Sequence, residues 1–411
     1  MGEYLLRCAG CGAVQPEGAL RCQEDDGLLR TEYKRKQLSP ADLPGIWTFI
    51  DWLPVRGPLT SGDKPVAFQS TDLARELGLE NLWISFSGYW PERGARIRTC
   101  SFKELEAAPT MQRLQEAGDG RVLVVASAGN TARSFAETAS LTGQPLVLVV
   151  PKRSMHRLWI TAERGNICLV GVDGDYNQAI ALGEKISSRP GFVAEGGARN
   201  VARRDGMGTV VLDAALTSGT IPGHYFQAIG SGTGGIAAWE ASMRLVQDGR
   251  FGSNLPRLHL AQNLPCAPIY SIRHGGEVDR SCPQDMYDDV LFNRHPPYEV
   301  RGGVKDALLA TGGDVCGITN QEAEAAQRLF QEMEDIDILP AAAVAVAALK
   351  KAAIFGDIKP HEQVLLNVTG GGMDRLKQDF TINYLKCDIP ADSSAPVEEI
   401  HREINEVLGR I

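Results

Sequence analysis

At 411 residues the chain is long enough for two or three domains, and 43% hydrophobic with 23% charged residues is the balance of a water-soluble fold with a sizeable core. A formal charge of −9 argues against a nucleic-acid partner, although a local basic pocket could still take an anionic metabolite. No apolar run reaches the roughly 20 residues that span a bilayer, so no membrane partner is expected.

The first residues, MGEYLLRCAGCG, lack the basic flank and long apolar stretch of a signal peptide. The nine cysteines are an odd number, mostly scattered singly in apolar surroundings, which fits reduced thiols better than a disulfide framework. The expectation is a cytoplasmic protein. Residues 1–33 read as a small module with Cys8-Ala-Gly-Cys11, then Cys22, then Glu24-Asp25-Asp26. That spacing looks like a zinc ribbon without its fourth cysteine, whose place Asp25 takes. The module is read as a degenerate ribbon that has lost its metal. The alternative is a weak structural zinc held by Cys8, Cys11 and Cys22, with the Asp25 carboxylate as a candidate fourth ligand.

Turns at Gly57-Pro58 and Ser61-Gly62 lead to Lys64-Pro65 and a main body over 60–390. Residues 81–86, 121–126, 144–150, 166–172, 224–230, 257–262 and 363–368 are short apolar runs that predict buried strands. Helices are predicted between them at about 131–141, 155–163, 175–187, 236–246 and 321–333, with an Ala-rich, buried helix at 340–352. The alternation predicts parallel, doubly wound α/β sheets. A charged, amphipathic helical tail is expected over 391–411.

One further helix is expected after TCSFKELEA, with Ser101 as N-cap and an end near Ala117. It places Lys103 at the positive end of the helix, where a cation is disfavoured. Either the lysine lies on a solvated face, or it is held neutral or occupied in a Schiff base.

Ligands of open α/β sheets gather at the carboxyl ends of strands, and three loops there are unusual. They are Ser127-Ala128-Gly129-Asn130-Thr131, Ser231-Gly232-Thr233-Gly234-Gly235, and Thr369-Gly370-Gly371-Gly372. The second, with Gly230, formally holds G-x-G-x-x-G. The next strand nevertheless ends in Gln262-Asn263 rather than the acidic residue that a dinucleotide ribose wants. What survives is a phosphate cradle: backbone N–H groups at a helix N-terminus, flanked by hydroxyls.

A phosphate cradle, a helix-start lysine and a helix-opening asparagine suggest pyridoxal 5'-phosphate. Here the chain resembles the threonine synthase family of fold-type II pyridoxal-phosphate enzymes. Ser101-Phe102-Lys103-Glu104 resembles that family's S-F-K-D, Ser127–Ala132 its S-S-G-N-T-A, and Thr369–Gly372 its T-G-x-G. The degenerate N-terminal ribbon is a further family trait. The resemblance implies a tryptophan synthase β-like α/β architecture in two domains, the smaller one at roughly 102–200. It implies that Lys103 carries the cofactor and is the catalytic residue. Asn130 would meet the ring's 3-hydroxyl, Thr369 the pyridine nitrogen, and Gly230, Ser231, Gly232, Thr233 and Gly234 the phosphate. Ser127, Ala128, Gly129 and Thr131 would hold the substrate carboxylate.

The substrate site departs from the family pattern. Arg96-Ile97-Arg98-Thr99-Cys100 stands where N-P-T-G is usual, and Asn200–Gly208 keeps Arg203 but has Met207 and Gly208 for Gln and Lys. Leu339 replaces an expected glutamate. The stretches G-Y-W-P-E, F-K-E-L-E-A and I-D-I-x-P-A-A-A are similar to those of the archaeal branch that makes L-cysteate from O-phospho-L-serine and sulfite. That likeness implies those two small-molecule substrates, with Arg203 as first candidate and Arg157 as second for holding phosphate and then sulfite. Arg153 and His156 are weaker candidates, and Cys100 reads as a buried filler. A homo-oligomer is expected.

Overall fold

The structure is a computed structural model that describes residues 3–127, 129–278, 285–392 and 395–410. Its centre is a six-stranded sheet in the order Asp314–Ile318, Arg257–Asn263, His224–Ala228, Val364–Val368, Leu82–Phe86, Val66–Gln69. Neighbours are parallel except at the edge, where Val66–Gln69 runs antiparallel to Leu82–Phe86. The Pro340–Phe355 helix lies against this sheet, burying Ala341–Leu349 with Leu82, Ile84, Phe226, Val364 and Leu366. Its many alanines let a helix approach closely without leaving cavities.

A second sheet has five parallel strands in the order Phe192–Ala194, Val122–Ala126, Leu146–Pro151, Ile167–Asp173, Ile389–Asp392. Alternate residues serve opposite faces, as strand geometry requires. Val122, Val124, Val147 and Val149 pack beneath the helices Tyr176–Ser187 and Val397–Val407. Leu123, Val125, Leu146 and Leu148 join the core shared with Phe135 and Ala136 of the helix Asn130–Thr142.

Two predicted elements differ. Residues 155–163 form no helix: a short 3₁₀ turn at Lys152–Arg157 gives way to the strand Trp159–Ile160, paired antiparallel with Asn383–Tyr384. Burial of Trp159 and Ile160 outweighs the helical pattern there. The C-terminal segment is also not all helix, because Ile389–Asp392 returns as an edge strand before Val397–Val407. Among the described residues seven cysteines are free thiols, while Cys266 is disulfide-bonded, an exception to the expected reduced set.

The helix Val201–Ser218 was not legible as such, and it matters most for the site. A Cβ on its Gly206 would sit 1.9 Å from the Leu105 carbonyl oxygen. Only glycine lets this helix touch the backbone of the helix Glu104–Ala117. On its other side it meets a small antiparallel sheet of Tyr4–Cys8, Val14–Gln15 and Leu29–Tyr33. Thr31 and Tyr33 each donate a 2.6 Å hydrogen bond to Asp205.

Candidate active site

The helix that follows Lys103 starts at Glu104, so Lys103 occupies the position just before it. Its backbone is tied down: the Lys103 N–H donates to Ser101 Oγ at 3.3 Å, and the Phe102 N–H to the Thr369 carbonyl at 3.0 Å. Glu104 accepts from the Thr99 N–H and hydroxyl at 3.1 and 2.9 Å. Burial, with Asp63 nearby, pushes its carboxyl up to about 8. Lys103 and Thr369 therefore face one cleft from adjoining segments.

The Lys103 side chain is 22% exposed, and its Nζ lies 3.7 Å from Glu106 Oε2. Burial lowers the amine to about 8, although Glu106 pulls the other way. Glu106 is itself fully buried, and burial raises its pKa. Arg203 Nε stands 2.9 Å from the same Glu106 oxygen, and Arg203 Nη1 donates to Glu195 at 2.8 Å. Burial works against the guanidinium, but Glu106 and Glu195 together outweigh it and raise its pKa. Two cations and two carboxylates thus form one charge-balanced network under the cleft floor.

Ser127, Gly129, Asn130 and Thr131 line one wall, at the N-terminus of Asn130–Thr142. The Gly129 N–H donates to Ser127 Oγ at 3.3 Å. Ala128, the remaining residue of that expected set, lies outside the described residues. Gly230–Gly234 lines the opposite wall and opens the helix Thr233–Asp248, with Ser231 Oγ and Thr233 Oγ1 2.8 Å apart. Gly232 has φ +84°, and a Cβ there would come within 2.2 Å of Val304 Cγ2. Glycine is therefore required there, and the loop lines the cleft with little side chain between its backbone and a ligand.

Arg203 lines the cleft, whereas Arg157 does not: it pairs with Asp289 and runs behind Gly129. Arg153, on the wall, is exposed and has no carboxylate partner among the described residues. Cys100 is buried and its thiol is pushed up to about 12 by burial, so it is no ready nucleophile. Glu106, Glu195, Tyr176 and Asp289 belong to the site but were not singled out from sequence. Of these only Glu106 had a signal, its three-residue spacing from Lys103 on one helix face.

A lysine whose amine is made easier to deprotonate by burial, facing a glycine-rich helix start with flanking hydroxyls, suits an aldehyde cofactor with a phosphate tail. Residues 68–370 match the family described as pyridoxal-phosphate dependent enzyme, and the chain belongs to that family. Among curated relatives it is 58% identical to a cysteate synthase of Methanococcoides burtonii, over 99% of both chains. It is 57% identical to another of Methanothrix thermoacetophila, over 97% of this chain and 100% of that one. Among solved structures it resembles threonine deaminase isoform 2 of Solanum lycopersicum, at TM-score 0.56 and 17% identity, over 76% of this chain and 83% of that one. The fold is thus the fold-type II α/β architecture, and the chain is a pyridoxal-phosphate enzyme.

Proposed function

We propose that the chain acts as a cysteate synthase, a β-replacement enzyme that converts O-phospho-L-serine and sulfite to L-cysteate and phosphate. The observation that carries this is 58% identity to a cysteate synthase over 99% of both chains, applied to a cleft with the partly buried Lys103 in its lining. Bound pyridoxal phosphate supplies an electron sink for the carbanion at the α-carbon.

The chain's own residues do the rest. Lys103 would hold the cofactor and, when free, its amine would take the α-proton; a pKa of about 8 leaves about half of it neutral at mildly alkaline pH. Gly230–Gly234 would hold the cofactor phosphate on backbone amides at the start of the helix Thr233–Asp248. Asn130 and Thr369 would face the ring, and a neutral threonine hydroxyl leaves the ring nitrogen largely unprotonated. Ser127, Gly129 and Thr131 would orient the substrate carboxylate at a helix N-terminus.

Arg203 enters differently from the sequence-based expectation. Its Nε and Nη1 face Glu106 and Glu195, so it sets the charge around Lys103 and has at most Nη2 to offer an anion in the cleft. Arg153 is the freer cation for the leaving phosphate and the incoming sulfite, with Arg157 held by Asp289 behind it.

The test is a product assay offering phosphoserine or phosphohomoserine, each with sulfite, sulfide or water. L-cysteate from phosphoserine and sulfite is expected; threonine from phosphohomoserine and water would replace this reading with threonine synthase activity. A cytoplasmic location and self-association belong to the same proposal. Self-association has some support in Ile354 and Phe355, each 70% exposed at one helix end, and sedimentation would test it. No helix among the described residues is long and apolar enough to cross a membrane.

A further inference from the structure

We infer that the N-terminal sheet carries a structural zinc ion bound by Cys8, Cys11, Cys22 and Asp25. The proposal stands apart from the reaction in the cleft. The missing fourth cysteine is what makes the ribbon look metal-free in sequence, but the fold brings the Asp25 carboxylate up to the three thiols. Ligand atoms of all four residues lie within 4.8 Å of one another. Cys11 Sγ is 3.6 Å from Cys22 Sγ, and Cys8 Sγ is 3.0 Å from Asp25 Oδ1. A tetrahedral zinc, with bonds of about 2.3 Å to sulfur and about 2.0–2.2 Å to oxygen, spaces sulfurs about 3.8 Å apart and sulfur from oxygen about 3.5 Å. The Cys11–Cys22 and Cys8–Asp25 pairs would open by about 0.2–0.5 Å, and the remaining pairs, all within 4.8 Å, would close by at most about 1.3 Å.

The surroundings are those of thiolate ligands rather than of packed thiols. The Gly10 N–H points at Cys8 Sγ at 3.3 Å, and the Glu24 N–H at Cys22 Sγ at 3.4 Å, so each knuckle turns a backbone donor onto a sulfur. Gln15 Nε2 also donates to Cys22 Sγ, at 3.4 Å. A Cβ on Gly10 would fall 2.1 Å from Asp25 Oδ2, so the knuckle is shaped to admit that carboxylate. The Gly27 N–H orients Asp25 by donating to Oδ1 at 2.6 Å, and Arg301 lies 4.0 Å from Oδ2 as a counter-charge. Cys8 and Cys22 are buried while Cys11 is exposed, which leaves a path for the ion. Three soft sulfurs and one oxygen in a closed four-coordinate set select zinc over magnesium or calcium.

The site would staple the two knuckles of a sheet that has little core of its own. At its other side this sheet grips the helix carrying Arg203: Thr31 and Tyr33 hold Asp205, and Leu29 accepts from Arg204. A closed metal set here contributes to folding and leaves no open position for chemistry.

The full-length holoenzyme, incubated with excess zinc and desalted, should carry one zinc per chain by plasma mass spectrometry. A thiol-capping mercurial should release it to a chromophoric chelator. Asp25→Ala should keep the three sulfurs yet weaken zinc at least about tenfold in chelator competition, since even outer-shell partners cost that much. Cys11→Ser should lose the ion more completely; if it fails to fold, the Asp25 variant still decides. Less than about half an equivalent of zinc at saturation, three freely alkylated thiols beside retained zinc, or a Cys11–Cys22 disulfide would overturn the site. Unchanged affinity in Asp25→Ala would overturn the ligand set.

Discussion

Lys103 Nζ lies 3.7 Å from Glu106 Oε2, one helical turn further on, and that glutamate has no solvent exposure. Burial drives the amine toward neutrality while the carboxylate opposes it, leaving a pKa of about 8. The neutral amine is the nucleophile, so recombination of cofactor-stripped protein with pyridoxal phosphate should speed up as pH rises through about 8, then level off. In Glu106→Gln the opposing charge is gone, so the midpoint should move to lower pH. Absorbance of the recombining cofactor reads both profiles, and borohydride reduction with peptide mapping should place the label on Lys103. A midpoint left near the ordinary lysine value, or a label on Lys152 or Lys305, would remove Lys103 from this role.

Arg203 and Arg153 should separate stability from substrate binding. Arg203→Ala leaves Glu195 without its partner and Glu106 with only Lys103 at 3.7 Å, a loss of about 3–5 kcal/mol in urea unfolding. Adding Glu195→Gln should return part of that loss, because one of the stranded charges is removed. Arg153→Ala should leave unfolding nearly unchanged and weaken phosphoserine, seen as KM, by roughly ten- to a hundredfold, the worth of a charge-assisted contact. Unaltered stability in Arg203→Ala with a raised KM would return the anion site to Arg203.

The outline of the fold was legible because its strands are short apolar runs, buried on both faces, such as Leu146–Pro151 and Val364–Val368. Lys103, Asn130, Gly230–Gly234 and Thr369 were legible as a set because each sits where a strand or turn hands over to a helix. The network beneath them was not. Gly206 and Gly208 lower the helical propensity of 201–218, yet they are there for close packing against Leu105 and Ala237. The meeting of Glu106, Arg203 and Glu195 depends on that packing, which no local pattern announces. The edge strand Ile389–Asp392 was hidden for a related reason, since its partner Ile167–Asp173 is far away in the chain.

Acid should destabilise the protein through a histidine pair outside the cleft. His224 Nδ1 and His259 Nε2 are 2.9 Å apart, and His224 Nε2 faces Glu362 at 3.3 Å. With both rings neutral, His259 donates to His224, and His224 to Glu362. Burial, then the neighbouring His224, lowers His259 to about 3. The unfolded chain takes a proton at about 6.5 that the folded chain refuses. The contribution of His259 is therefore complete above about 6.5 and is lost as pH falls toward 3, by at most about 1.4 kcal/mol per pH unit. His259→Phe, which can keep the stack on Phe226 at 4.2 Å, should flatten urea-unfolding profiles between pH 6.5 and 4.5 relative to the parent. Parallel profiles would show that this histidine does not titrate on unfolding in that window.

Gly232 offers the sharpest test of the phosphate cradle. Its φ of +84° costs an L-residue about 1–2 kcal/mol, and the side chain of Val304 stands where a Cβ would go. The loop of Gly232→Ala must shift, and with it the amides of Thr233 and Gly234 at the helix start. Gly118 ends the Lys103 helix with φ +66° and open space where a Cβ would sit, so Gly118→Ala carries the backbone cost without a clash. Both variants should lose thermal stability, but only Gly232→Ala should bind pyridoxal phosphate at least about tenfold more weakly, a change of about 1.4 kcal/mol. Fluorescence titration of the cofactor-free protein measures this directly. The split matters because Lys103 is anchored through Phe102 and Thr369 rather than through this loop. Gly232→Ala should therefore still form the Lys103 adduct with unphosphorylated pyridoxal as readily as the parent. Equal losses for pyridoxal and its phosphate would mean that the loop supports the whole cleft and is not a phosphate site.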